Sequence, residues 1–298
     1  MADTAASVLA KLKNKAKASG ISYQQCLQLF FQEEFLRKLA DSRYSENFVL
    51  KGGLFIYTLT NFESRATVDV DFLMKGLSNE LADMDSIIAE ILAVPTGNDF
   101  VTFSSSKAEP IALLRKYHGV SVQITGYIKN VRVPFTIDIG VGDVIIPCPE
   151  YHSIQTQLEG YRQPEILTYS LESTIAEKYD AILQRFELTG RMKDFYDIYY
   201  LSRTFNFDGT KLRTAVYETL RNRGTAFEEN SFSRVMALTD DEEMQIKWRY
   251  FLKTLGNPEI PFSIVMKGIR QFLEPVWNSI IENEDLHSHW NCMSSSWQ

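Results

Sequence analysis

The chain has 298 residues, a formal net charge of −7 at pH 7, 45% hydrophobic and 23% charged residues. That balance fits a soluble globular protein with one large core or two ordinary ones, and its acidity argues against a general nucleic-acid-coating protein while leaving room for a local basic groove. Cys26, Cys148 and Cys292 form no metal-ligand spacing, and no apolar run suits a signal peptide or membrane span, so a reduced, cytoplasmic protein with no membrane partner is expected.

Residues 4–17 read as a helix, which Ser19-Gly20 breaks. A second helix from Tyr23 to Asp41 places Leu27, Phe30, Phe31, Phe35, Leu36 and Leu39 at helical spacing. FVLKGG then leads into the apolar stretch LFIYTL. Strands are expected at TVDVDFL (67–73), FVTFSS (100–105), VSVQITGYI (120–128) and VRVPFTIDIG (131–140), with a helix over 80–92. Gly160, Pro164 and the polar residues of 150–168 read as a connection. Beyond it helical patterns dominate, at 171–187, 192–203, 211–222, 241–255 and 262–282, with Pro275 starting or kinking a late segment. The expected fold class is α+β: a mixed sheet with flanking helices over 1–165, then an all-α lobe over 166–282 and a flexible tail over 283–298.

The chemistry begins with VDVDF, residues 68–72. Alternation along a strand puts Asp69 and Asp71 on one face and sends Val70 and Phe72 into the core. Carboxylates held side by side repel unless a cation lies between them, and magnesium, which takes oxygen ligands, meets that need. TIDIG (136–140) repeats the pattern, with Asp138 opposite in sense to Ile137 and Ile139. If the two strands are neighbours, three carboxylates converge, enough for two metal ions about 3.5–4 Å apart. An acid among apolar residues is also what any half-exposed strand shows. The weight comes from Gly52-Gly53, which are separated from Asp69 by fifteen residues and let backbone N–H groups approach a phosphate. Lys51 adds charge there or is a surface residue. Arg65, with Thr67 just before the acidic pair, suits a triphosphate oxygen or a structural ion pair equally well.

In the helical half, Lys178 lies beside the apolar stripe of LESTIAEKYDAILQRF (171–186), where it can reach a cleft or simply be solvated. In GRMKDFYDIYYL (190–201), Lys193 and Asp197 are spaced as a helix ion pair, with Asp194 beside them. The histidines, His118, His152, His287 and His289, form no ligand pattern.

Gly-Gly, D-x-D and a distant apolar-Asp-apolar strand together resemble the DNA polymerase β-like nucleotidyltransferase superfamily. More narrowly, LKNKAKASGISYQQCLQLFFQEEFLRKLADS, FVLKGG, SRATVDVDFL, IDIGVGD, ESTIAEKYDAIL, GRMKDFYDIYYL and RNRGT followed by KWRYFL resemble the AbiEii/AbiGii-type toxin nucleotidyltransferases, from about residue 6 to 275. The resemblance implies that Gly52 and Gly53 hold nucleotide phosphates and that Asp69 and Asp71 bind magnesium. It implies that Asp138 is the third carboxylate, able to help activate the acceptor. Lys178 matches the family's helical lysine, and Arg191, Lys193, Asp194 and Asp197 match its R-x-K-D-x-Y-D motif. Gly-Gly replaces the Gly-Ser common in the superfamily, and Ala66 stands where many relatives carry proline; neither removes a chemical group. The expected activity is transfer of a nucleotide from an NTP, GTP or CTP among them, to an RNA 3′-hydroxyl, with tRNA foremost. Two Mg2+ ions are implied, as is a neutralising antitoxin in a toxin–antitoxin or phage-defence system. The alternatives are nucleotidylation of a protein and a non-catalytic nucleotide- or partner-binding module.

Overall fold

The structure is a computed structural model that describes residues 4–111, 119–186, 190–255 and 260–298. His118 and the last residue of the helix expected over 171–187 lie outside the described residues. The chain divides into two units, residues 1–142 with 149–169, and residues 143–148 with 170–298.

The first unit is built on a mixed sheet. Its strands are β1 (Phe48–Lys51), β2 (Val70–Met74), β3 (Thr102–Ser105), β4 (Glu109–Ile111), β5 (Gly119–Ile128), β6 (Val131–Val141), β7 (Glu150–Ser153) and β8 (Glu165–Thr168). They run in the order β3-β5-β6-β2-β1-β8-β7, with β4 also on β5. The central pair β2 and β6 is parallel, whereas β1 with β2 and β5 with β6 are antiparallel. Val70, Phe72, Ile137 and Ile139 are fully buried, as the alternation requires. The segment read as a connection instead supplies β7 and β8: β8 pairs in parallel with β1, and β7 pairs back on β8. A four-residue strand with two buried positions carries too short a period to stand out in a sequence.

Helices α1 (Thr4–Ser19), α2 (Tyr23–Ala40), α3 (Gly52–Leu59) and α4 (Leu81–Ala93) belong to this unit. Ser22 caps α2 through a capping box with Gln25. Phe35 of α2 meets Phe72 at 6.1 Å and Phe135 at 6.5 Å between ring centroids, tying the helix to β2 and β6. The polar face of α2 is buried as well. Arg37 donates to the Arg162 carbonyl at 2.8 Å, Lys38 to the Val94 carbonyl at 2.5 Å, and Glu33 accepts from the Gln157 N–H at 2.9 Å.

The second unit contains α5 (Leu171–Leu183), α6 (Met192–Thr204), β9 (Phe207–Asp208), α7 (Gly209–Arg223), α8 (Ser231–Ala237), α9 (Glu242–Leu255), α10 (Phe262–Ile281), β10 (His289–Asn291) and β11 (Ser296–Trp297). It is mainly helical, as expected, and α10 continues through Pro275. Its core is aromatic: Trp277 of α10 lies 5.8 Å from Tyr179 of α5 and 5.6 Å from Phe227 between ring centroids. Arg223, at the end of α7, bridges Asp143 at 2.9 Å, Glu177 at 2.8 Å and Asp180 at 3.0 Å, which fastens residues 143–148 to this unit.

Beside its helices the unit carries a small sheet of β9, β10 and β11. One expectation for this region is corrected: the last residues are not a loose tail. Trp290 is 1% exposed, donates its indole N–H to the Ser202 carbonyl at 2.6 Å, and packs 5.0 Å from Phe272 between ring centroids. Two tryptophans, seven residues apart in an aperiodic polar stretch, give no strand or helix period, yet burying them drives the hairpin onto α10.

Candidate functional site

The site starts where β1 becomes α3. Lys51 is the last residue of β1, and Gly52 turns the chain with φ of 70°, a left-handed conformation that glycine adopts without steric cost. Gly52 also needs its missing side chain: a Cβ there would stand 2.8 Å from Asp71 Cγ and overlap Oδ2. A Cβ on Gly53 would stand 2.8 Å from the Thr67 hydroxyl oxygen. The two glycines therefore let the Asp71 carboxylate and the Thr67 hydroxyl sit directly against the first turn of α3. The backbone N–H groups of that turn have no partner within the helix, and the positive end of the helix dipole lies there.

The sheet register then lines up four side chains. Lys51 on β1 is opposite Asp71 on β2, Asp71 is opposite Asp138 on β6, and Asp138 is opposite Ser121 on β5. Residues opposite each other across a ladder point to the same face, so a lysine, two aspartates and a serine form one row across four strands. The Ser121 hydroxyl donates to Asp138 Oδ1 at 2.7 Å and fixes that carboxylate. Asp71 and Asp138 are both half-buried.

Asp69 does not lie within the strand. It is exposed, on the segment leading into β2, which begins at Val70 rather than at residue 67. The reason lies in α2: the buried amides of Gln28 and Gln32 both donate to the Val68 carbonyl, at 2.6 and 2.8 Å, and hold the chain there in place of a strand partner. Among the described residues no three His, Cys, Asp or Glu side chains gather into a group that could hold a metal ion. Asp71 and Asp138 stand side by side in register, and Asp69 lies one residue before the start of β2. Two neighbouring carboxylates, one of them against a helix N-terminus, are hard oxygen donors of the kind magnesium takes together with substrate phosphates, so the residues present fit that ion. Arg65 and Thr67 are half-buried on the same approach to β2.

In the second unit the motif residues form their own cluster. Lys178 of α5 is 9% exposed; its ammonium donates to Asp197 Oδ2 at 2.6 Å and stands 3.5 Å from Asp194 Oδ1. Arg191 bonds the other oxygen of Asp194. Asp197, expected to pair along the helix with Lys193, is the closer partner of Lys178, and Lys193 is exposed. A lysine, an arginine and two buried aspartates make a balanced ion network, which is how charges tolerate such burial.

Sequence reasoning missed Ser121, Gln28 and Gln32. Ser121 was visible as a polar position in VSVQI, but its partner depends on strand register. The glutamines read as polar helix positions, and only the path of residues 64–69 gives them work.

The fold is that of a nucleotidyltransferase. MenT4, nucleotidyltransferase toxin Rv2826c from Mycobacterium tuberculosis H37Rv, superposes with a TM-score of 0.53 at 15% identity, over 90% of this chain and 98% of that one. JHP933 from Helicobacter pylori gives 0.51 at 15% identity, over 88% and 95%. At that identity the likeness is one of fold. No curated protein matches the sequence. Residues 34–275 match the family model described as "Nucleotidyl transferase AbiEii toxin, Type IV TA system", and the chain belongs to that family of toxin nucleotidyltransferases. An antitoxin partner and a nucleotide substrate come with membership of such a two-component system. No helix among the described residues is long and apolar enough to cross a membrane.

Proposed function

We propose that the protein transfers a nucleotide from an NTP to the 3′-hydroxyl of an RNA, tRNA foremost, and so blocks translation until its antitoxin intervenes. The observation that carries this reading is the aligned row of Asp71 and Asp138 beside the glycine-started helix α3. The N–H groups at the start of α3 bind the phosphates, and Thr67 and Arg65 border them. Asp71, Asp138 and, on the approach to β2, Asp69 would hold magnesium, which would supply charge neutralisation and a more acidic acceptor hydroxyl. Asp138, oriented by Ser121, also accepts the acceptor's proton. The 3′-oxygen bonds to the α-phosphorus, the bond from that phosphorus to the bridging oxygen breaks, and pyrophosphate leaves with the electron pair. Lys178 and Lys193 are proposed as phosphate-binding residues, and Asp194 with Asp197 fixes the orientation of Lys178.

The test incubates the protein with magnesium, each α-labelled NTP and total RNA. Label should enter a tRNA-sized band, and Asp71→Ala should lower the rate by at least about a thousandfold and abolish growth inhibition on expression. Label entering protein and not RNA would overturn the RNA acceptor; an Asp71→Ala variant as active as the parent would overturn the site.

A further inference from the structure

Lys51 stands at the β1 end of the carboxylate row, opposite Asp71. Its side chain does not turn away to solvent. The ammonium crosses above β2 and lies 3.9 Å from the position a Cβ would take on Gly140 of β6, two residues beyond Asp138 on the same face. It also lies 5.2 Å from the ring centroid of Tyr169, a residue that is 1% exposed and whose backbone N–H donates to the Leu50 carbonyl. A buried, backbone-anchored ring beneath an ammonium holds it by charge–quadrupole attraction and limits where it can go. One positive charge is therefore built into the face that carries two carboxylates, next to the first turn of α3.

The two carboxylates of that face repel a polyanion. A triphosphate reaching the start of α3 must pass close to Asp71 and Asp138, and a lysine ammonium is a compact point charge suited to phosphate oxygens. We propose that Lys51 is a further nucleotide-binding residue of this site, contacting the β- and γ-phosphates of the incoming NTP. The inference rests on the nucleotidyl-transfer reading above. A lysine serving only as counter-ion to the two aspartates would lose its purpose once they were neutral, and this separates the two roles.

The experiment measures binding of GTP and CTP, with GMP and CMP as controls, by titration calorimetry in EDTA. It uses the Asp71→Asn/Asp138→Asn protein, in which the row carries no carboxylate charge. Adding Lys51→Met should weaken triphosphate binding about tenfold, the scale of one charged hydrogen bond, and leave monophosphate binding within about twofold. Lys51→Arg in the same background should restore most of the loss, which a folding defect would not allow. An unchanged triphosphate affinity on adding Lys51→Met to the neutral background would overturn the proposal and leave the counter-ion role. A parent protein that transfers label but whose Lys51→Met variant keeps the same KM for NTP would also overturn it while the transfer reading stands. A parent that neither binds nor transfers any NTP would overturn both.

Discussion

At the scale of single residues, the site depends on what is missing from two positions as much as on what is present. Gly52→Ala would place a methyl group 2.8 Å from the Asp71 carboxylate carbon at a φ of 70°. The left-handed conformation alone costs about 1–2 kcal/mol for a residue with a Cβ, and moving Asp71 by an ångström costs about a hundredfold in rate. We expect both effects in Gly52→Ala, read as a lowered urea midpoint and a lowered kcat; a variant with the parent's kcat would show that Asp71 need not sit against α3. The alternation of VDVDF and TIDIG made Asp71 and Asp138 legible, because a period of two fixes which side chains share a face. Strand β2 starts later than the alternation suggests, at Val70, with Gln28 and Gln32 holding the Val68 carbonyl before it. The partner of Lys178 was not legible at all. Helix spacing pairs Lys193 with Asp197, while the structure pairs Asp197 with Lys178 on another helix, and contacts between helices have no period to read.

At the scale of elements, α2 shows how an apolar stripe understates burial. Its expected stripe is buried, and so are Gln28, Gln32, Glu33, Glu34, Arg37 and Lys38. Each polar group must find a partner or cost several kcal/mol. Glu34 accepts from the Asn98 amide at 2.7 Å and bonds Arg37 at 2.5 Å, so the segment after α4 closes over that face. Burial pushes the Glu33 carboxyl up to about 8, although Arg37 and the Gln157 N–H pull the other way. A carboxyl whose pKa is raised in the fold holds its proton more tightly there than in the unfolded chain. Its contribution to stability is therefore full below the ordinary value of 4.5 and is lost as the pH rises through about 8. The urea midpoint should fall between those pH values, and Glu33→Gln, which keeps an acceptor for Gln157, should remove that part of the slope. An unchanged slope in the variant would mean that Glu33 is ionised in the fold.

At the scale of the whole molecule, fold class was legible because long periodic segments dominate the chain: the four expected strands and the expected helices appear near their expected places. Much of what was not legible is short and held by tertiary contact, β7 with β8 and the C-terminal hairpin among it. The hairpin makes a clear prediction. Trp290→Ala removes a side chain packed against Phe272 and Trp297 and should cost about 3–5 kcal/mol, measured by urea unfolding followed through tryptophan fluorescence. A loss under about 1 kcal/mol would mean that the hairpin contributes little to the second unit.

Nucleotide transfer to RNA by the Asp71–Asp138 pair can be checked in one comparison. Protein with and without Asp71→Asn and Asp138→Asn is incubated with magnesium, α-labelled NTP and total RNA, and labelled RNA and pyrophosphate are measured together. Equal amounts of RNA label and pyrophosphate are expected from the parent protein, and neither from the variants, whose circular dichroism remains that of the parent. Label transfer that persists in both variants would contradict that role for the pair.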